Sequence, residues 1–256
     1  MNGAKVRERC FATCPSCGGD VVGRMDNFII TCEHGGNQIP APYRRLFREQ
    51  RALLDSHRGW DPGSLVMAKA LASACRAPLV ASTVSRLLID LNRSIGHPQL
   101  FSAMTRVAPA EIRAHIVEQY YRPHRSQVEC LVGQAVSRGR RVIHISSHSF
   151  TAELDGAVRG ADVGLLYHPG RRGEAELCAR WKEVLAGFAP ELRVRRNYPY
   201  AGKGDGLTAH LRLRFTPCDY VGIELEVNQG IVIAAGRRWT ALRRLLIDSL
   251  RTACAA

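Results

Sequence analysis

His34, Asp61 and His148 are residue types that hold a catalytic metal ion. Two imidazoles and one carboxylate form a standard zinc set that leaves a coordination position open for water. His34 follows the apolar run Phe28-Ile-Ile-Thr-Cys32 within Glu33-His-Gly-Gly36, and His148 ends Arg141-Val-Ile-His-Ile-Ser-Ser-His148. Asp61 lies in the tight turn Trp60-Asp-Pro-Gly63, which fixes its direction. Each also has a structural reading: a turn residue at His34, a helix N-cap before Pro62 at Asp61, a loop residue at His148. Glu33 is the alternative carboxylate ligand. His144 shares a face with His148 by strand alternation, four residues deeper.

A second set could act beside a metal. Glu224 and Glu226 alternate with Ile223, Leu225 and Val227 in the last apolar run. Acids within such a run are costly to bury unless paired or functional, and the alternative is an edge strand with both acids in solvent. Metal-assisted hydrolysis needs a carboxylate that takes a proton from water and returns it to the leaving group. Glu226, nearest the strand's carboxyl end, is expected in that role, with Glu224 its neighbour. In Asp90-Leu-Asn-Arg93, the Arg93 guanidinium suits a substrate carboxylate, with Asn92 beside it. The alternative is a structural ion pair between Asp90 and Arg93. Arg196, Asn197 and Tyr200 flank the glycine-rich loop Tyr198–Gly206 and are expected to add substrate contacts or a lid.

Elements must bring these residues together. Apolar runs predict strands at Phe28–Cys32, Pro78–Val84, Arg141–His148, Asp162–Tyr167, Leu192–Asn197 and Tyr220–Val227. Helical spacing predicts helices over Ala41–His57, Ser64–Cys75 with Ser64 as N-cap, Ala110–Ser137 with a break at Pro123, and Gly173–Gly187. A short helix capped by Thr208 follows the glycine-rich loop, and Trp239, Leu242, Leu246 and Leu250 form one face of a closing helix. Strands alternating with helices predict a single three-layer α/β domain with a largely parallel or mixed sheet. Ligands of such sheets gather at the carboxyl ends of the strands. Gly35 and Gly36 there are expected to let a ligand approach the backbone.

Composition narrows the function classes. At 256 residues, 46% hydrophobic and 23% charged, the chain reads as an ordinary globular protein. No stretch approaches the roughly 20 apolar residues of a membrane helix. The first residues lack the apolar core of a signal peptide, so the expected location is the cytoplasm. The net charge of +13 is mostly arginine, scattered over helices without aromatic-rich basic motifs. An anionic small-molecule substrate fits this better than nucleic acid. Several of the nine cysteines, such as Cys75, Cys130, Cys178 and Cys254, stand singly in apolar surroundings. Residues 1–25 stand apart as a tail in which Cys10, Cys14 and Cys17 make one knuckle of a zinc ribbon without its partner. The catalytic domain is expected over 26–256.

Taken in order, Cys32-Glu-His-Gly-Gly-Asn-Gln-Ile-Pro40, Gly59-Trp-Asp-Pro-Gly63, Ser85-Arg-Leu-Leu-Ile-Asp-Leu-Asn-Arg-Ser94, His144-Ile-Ser-Ser-His-Ser-Phe-Thr151, Asp162-Val-Gly-Leu-Leu-Tyr167, Asn197-Tyr-Pro-Tyr200 and the Glu224/Glu226 strand resemble the N-formylglutamate amidohydrolase family. The resemblance runs from Phe28 to the C-terminus and leaves out the cysteine-bearing tail. It implies a fold related to zinc carboxypeptidases, of the phosphorylase/hydrolase-like kind, and to murein amidases. It also implies one catalytic Zn2+, or another divalent ion, on His34, Asp61 and His148. Arg93 becomes the carboxylate clamp and Glu226 the acid/base. The implied reaction splits N-formyl-L-glutamate into formate and L-glutamate, a step of histidine degradation. The alternatives are the same chemistry on another N-acyl amino acid or a cell-wall or other peptide, and a non-catalytic basic nucleic-acid-binding module.

Overall fold

In the computed structural model, which describes residues 26–234 and 236–255, the first apolar run forms β1 (Asp26–Cys32), its last four residues buried. A 3-10 helix (Ala41–Phe47) and α1 (Arg51–Asp55) follow, then α2 (Ser64–Cys75) and β2 (Leu79–Ala81). Next come α3 (Ala103–Arg106), α4 (Ala110–Ile116), a π-helical turn (Val117–Tyr121), α5 (Arg122–Ser137) and β3 (Arg141–Phe150). The hairpin of β4 (Glu153–Leu154) and β5 (Ala157–Val158) leads to β6 (Val163–Leu166), α6 (Arg172–Phe188) and β7 (Val194–Arg196). The chain ends with α7 (Leu207–Arg214), β8 (Tyr220–Asn228), α8 (Gln229–Ile233) and α9 (Arg237–Ala255).

Six strands pair in the order β2-β1-β3-β8-β6-β7. All neighbours are parallel except β6 and β8. Strand alternation sends Ile30, Ile145, Ile223 and Leu225 to one face, where Met67 and Leu71 of α2, Trp181 of α6 and Leu246 of α9 cover them. Ile29, Val142 and Tyr220 point to the other face, against Val128 and Val132 of α5 and Leu211 of α7. Burying each large apolar side chain contributes about 1.5–3 kcal/mol. The result is the expected three-layer α/β domain with a mostly parallel sheet. A satellite core unites the 3-10 helix, residues 87–91 and the α4 region. Among the described residues, no helix is long and apolar enough to cross a membrane.

Several local expectations change. The helix over Ala41–His57 is broken, because Arg48 is extended and Glu49 takes a φ of 64°. Gly63, at a φ of 82°, is the N-cap of α2. Ser64 is its first helical residue, and its hydroxyl donates to the Asp61 carbonyl at 2.7 Å. Thr208 does not cap α7, whose N-cap is Gly206; its hydroxyl donates to Glu224 instead. The break at Pro123 takes the form of the π turn before α5, which accommodates a residue without an N–H. β8 lies between β3 and β6, so Glu224 and Glu226 are not on an edge. Cys10, Cys14 and Cys17 lie outside the described residues.

One ion pair anchors the start of β6. The buried Asp162 carboxylate accepts from Arg193 N, Nε and Nη2 at 3.0, 3.1 and 2.9 Å. Burial raises its pKa, but the Arg193 bonds outweigh that and hold it below the ordinary value. Its stabilisation is therefore complete above an unfolded-state pKa of about 3.9 and is lost as pH falls through the lower folded-state value. Arg193 is 61% exposed, which screens the pair. Asp162→Asn is expected to lower the unfolding free energy by about 1–2 kcal/mol at pH 7. Urea unfolding across pH checks this: the gap to wild type should close below about pH 4, and a gap unchanged at pH 3 would rule the carboxylate charge out.

Candidate metal centre and active site

Parallel pairing of β1, β3 and β8 brings their carboxyl ends to one edge. Thr31 pairs with Ser146, and His148 pairs with Glu226. Carrying the register past β1 sets Glu33 beside His148, so Glu33, His148 and Glu226 form a row on the α5/α7 face. His34 follows in the turn. The chain returns to it at Asp61, whose N–H donates to the His34 carbonyl at 2.9 Å. That bond holds the turns carrying His34 and Asp61 together.

His34, Asp61 and His148 are buried, and their candidate ligand atoms lie within 4.8 Å of one another. His34 Nε2 is 2.7 Å from Asp90 Oδ1. His148 Nε2 is 3.0 Å from Glu33 Oε2 and 2.9 Å from Ser146 Oγ. Both rings thus turn Nδ1 toward Asp61 Oδ2, at 3.4 Å from His34 and 2.9 Å from His148. With Nε2–H given to a carboxylate, each Nδ1 has its lone pair free for a metal. The buried His34 Nδ1 has no hydrogen-bond partner. Asp61, not Glu33, joins the donor group; Glu33 stands behind His148 and also accepts from Ser146 Oγ at 2.6 Å.

Charge supports a metal here. Glu33, Asp61 and Asp90 are buried, and Arg86 is the guanidinium on them, at 3.3 Å from Asp61 Oδ1 and 2.8 Å from Asp90 Oδ2. With neutral imidazoles the cluster is left at minus two, which a divalent cation balances. Burial opposes ionisation of Asp61, but His34, His148 and Arg86 hold its pKa far below the ordinary carboxylate value. Burial likewise raises the Asp90 and Glu33 pKa values; Arg86 and His34 outweigh it at Asp90, and His148 at Glu33, so both titrate well below normal. Burial disfavours the His148 cation, yet bonds to Asp61 and Glu33 raise its pKa well above normal.

The donors open into a cavity of about 400 Å³ also lined by Asn92, Arg93, Tyr200, Glu224 and Glu226. Glu226 Oε2 is buried without a hydrogen-bond partner. Burial pushes its pKa up to about 8, with Asp61 and Glu224 adding to the rise against His148 and Arg86. Glu224 is tied down, accepting from Thr208 Oγ1 at 2.6 Å. Arg93 has no carboxylate partner among the described residues, and the expected ion pair with Asp90 does not form. Its Nη1 donates to the Asp205 carbonyl at 3.0 Å, and Nε is buried without a partner. Tyr121 Oη and Arg125 Nη2 hold the Arg93 carbonyl at 2.8 and 3.0 Å. Asn92 is divided: Oδ1 accepts from Leu207 N at 2.7 Å, while Nδ2 lies 3.5 Å from His148 Nε2.

Other expected residues do other work. Arg196 and Asn197 do not line the cavity. Arg196 is exposed at the end of β7. Asn197 has a φ of 50°, and its Oδ1 accepts from Tyr167 N and Gly202 N, so it shapes the loop. Gly35 and Gly36 admit protein rather than ligand: a Cβ would fall 2.9 Å from Ser82 O and 2.6 Å from Thr83 O. His144 binds Thr31 and Tyr220 below the site. Arg86 and Ser146 were not expected. An arginine four residues before Asp90 in an apolar segment was the available signal for Arg86; the signal for Ser146 was its place on the His148 face.

A family model described as N-formylglutamate amidohydrolase matches residues 26–232. The gene product Atu2144 from Agrobacterium tumefaciens has a similar structure, with TM-score 0.78 and 27% identity over 91% of this chain and 92% of its own. An N-formylglutamate amidohydrolase from Ralstonia eutropha JMP134 is similar in fold, with TM-score 0.66 and 19% identity over 91% of this chain and 95% of its own. Comparison with curated protein sequences found no match.

Asp90 offers a test of the centre that does not depend on turnover. Asp90→Ala frees His34 Nε2 and leaves Arg86 half-partnered. Affinity for a divalent metal is expected to fall about 10–100-fold, measured by calorimetry or competition with a chelating dye. Unchanged affinity would mean that His34 is not a ligand held by Asp90.

Proposed function

Since the chain belongs to the N-formylglutamate amidohydrolase family, we propose that this amide-bond hydrolase is zinc-dependent and cleaves the N-acyl amide of an acidic amino acid, with N-formyl-L-glutamate its substrate. The observation that carries this reading is the convergence of His34, Asp61 and His148 on one point of a cavity that also holds Glu226 and Arg93.

His34, Asp61 and His148 would hold the ion, which when bound lowers the pKa of a water toward neutrality and polarises a carbonyl. Asp90 and Glu33 keep the two rings turned so that Nδ1 faces inward. Glu226 takes a proton from the attacking water at its unpartnered Oε2 and returns it to the amide nitrogen as the C–N bond breaks. Burial holds its pKa up at about 8, and a cation held by His34, Asp61 and His148 would draw it down. Arg93, which makes no ion pair among the described residues, presents its guanidinium to the substrate carboxylate and is held in place through its own carbonyl. Tyr200 overhangs the cavity, its hydroxyl accepting from Arg159 Nη1 at 3.0 Å, and restricts water.

Glu226→Gln should retain metal but lose about 10²–10⁴-fold in kcat on N-formyl-L-glutamate. Full activity in that variant, or no metal bound after zinc supplementation, would overturn the mechanism. Arg93→Ala should act mainly on KM, raising it about 10–100-fold for substrates carrying a carboxylate. Steady-state kinetics with formylglutamate and its amide analogue separates that role from a structural one.

A further inference from the structure

The space around the donors does not end with the first cavity. A second cleft, about 470 Å³ in volume, shares Asp61, Arg86, Ser149 and Tyr200 with it. Arg93 lines only the first space; Arg58 and Arg106 line only the second. An amide at Asp61 with its carboxylate on Arg93 therefore has its acyl side toward the second cleft. A formyl group, a single carbon, leaves that volume unused.

The chemistry of the walls says what would fill it. Phe101, Met104, Phe150 and Leu154 give apolar surface. The two acids that line the cleft are already spoken for: Asp61 by both histidines and Arg86, and Asp90 by His34 and Arg86. Arg106 Nη2 donates to the carbonyls of Pro98 and Phe101 at 2.7 and 3.3 Å, and Arg106 makes no ion pair among the described residues. Among the described residues, Arg58 makes no side-chain hydrogen bond and no ion pair. The cleft thus joins an apolar wall to uncompensated positive charge, and its free guanidinium can take both oxygens of a carboxylate.

We propose that the second cleft is an acyl-chain subsite, so that the enzyme takes N-acyl acidic amino acids whose acyl group is a short aliphatic chain ending in a carboxylate. The proposal rests on the amidohydrolase reading above. The aliphatic part lies against Phe101, Met104 and Leu154, and the terminal carboxylate meets Arg58. Water adds to the same carbonyl carbon and the same C–N bond breaks, releasing a dicarboxylic acid in place of formate.

The test uses the full chain supplied with zinc and five substrates: N-formyl-, N-acetyl-, N-butanoyl-, N-succinyl- and N-glutaryl-L-glutamate. The succinyl or glutaryl substrate should exceed the butanoyl one in kcat/KM by about ten-fold, chiefly through KM, and the margin should shrink with added salt. Arg58→Ala, with melting unchanged, should erase that margin and leave formylglutamate kinetics as they were; Arg58→Lys should keep part of it. Equal rates for the charged and uncharged chains overturn the subsite. So does an Arg58→Ala variant that loses as much on formylglutamate as on the succinyl compound. Turnover of formylglutamate with rejection of every longer acyl group overturns this proposal alone. No turnover of any N-acyl glutamate overturns the amidohydrolase reading and takes the proposal with it.

Discussion

Three carboxylates buried around two imidazoles are the constraint on which this molecule is built. Glu33, Asp61 and Asp90 are each at most 4% exposed. Removing such charges from water costs several kcal/mol apiece unless they find partners, and each of their oxygens except Glu33 Oε1 does so. The partners come from separated parts of the chain: Ser146 and His148 in β3, His34 after β1, and Arg86 in the irregular segment after β2. The contacts of Ser146 and His148 with Glu33 do not survive a shift of one residue between β1 and β3, because such a slip turns every side chain to the opposite face. Strand register, turn geometry and site chemistry are therefore one requirement.

The α5/α7 face of the sheet is graded along the strands. At its amino end lie Ile29, Val142 and Tyr220, packed as ordinary core. One step on, Thr31, His144 and the Tyr220 hydroxyl form a closed hydrogen-bonded set, and burial pushes the His144 pKa down to about 4. A further step brings Ser146 and Glu224, then His148 and Glu226. Polarity rises toward the edge where the backbone stops pairing. The two glutamates of β8 consequently differ although their sequence surroundings match: Thr208 satisfies Glu224, whereas Glu226 keeps an oxygen without a partner.

Much of this was legible in the sequence, because an apolar strand that ends in a polar side chain carries its own signal. That His34, His148 and Glu226 lie at one edge of the sheet was readable on that ground, as were the layers and the mostly parallel sheet, and Asp61 was readable from its tight turn. What was not legible depends on contacts between distant segments. Asp90 looked like a partner for Arg93, three residues away, but bonds His34, 56 residues away. Asn197 looked like a substrate contact, and its side chain instead holds the backbone of its own loop. Gly35 and Gly36 looked like room for a ligand and serve the approach of residues 82 and 83. The helix over residues 41–57 had the right spacing, yet the break at Arg48 and Glu49 divides it, and the short pieces are held by packing in the satellite core.

The place of β8 in the sheet bears on how the chain reaches this state. It is the last strand among the described residues, yet it sits in the middle, joining β2-β1-β3 to β6-β7. Without it the sheet would be two unconnected halves, with β3 and β6 each left with an unpaired edge. The pairing that closes the gap is non-local: His148 meets Glu226 and Val163 meets Val227 only after most of the chain is in place. Such long-range closure is slow to assemble. Completion of the site's edge therefore waits on the contact between the two halves of the sheet, since Glu226 comes beside His148 only when β8 has paired with β3.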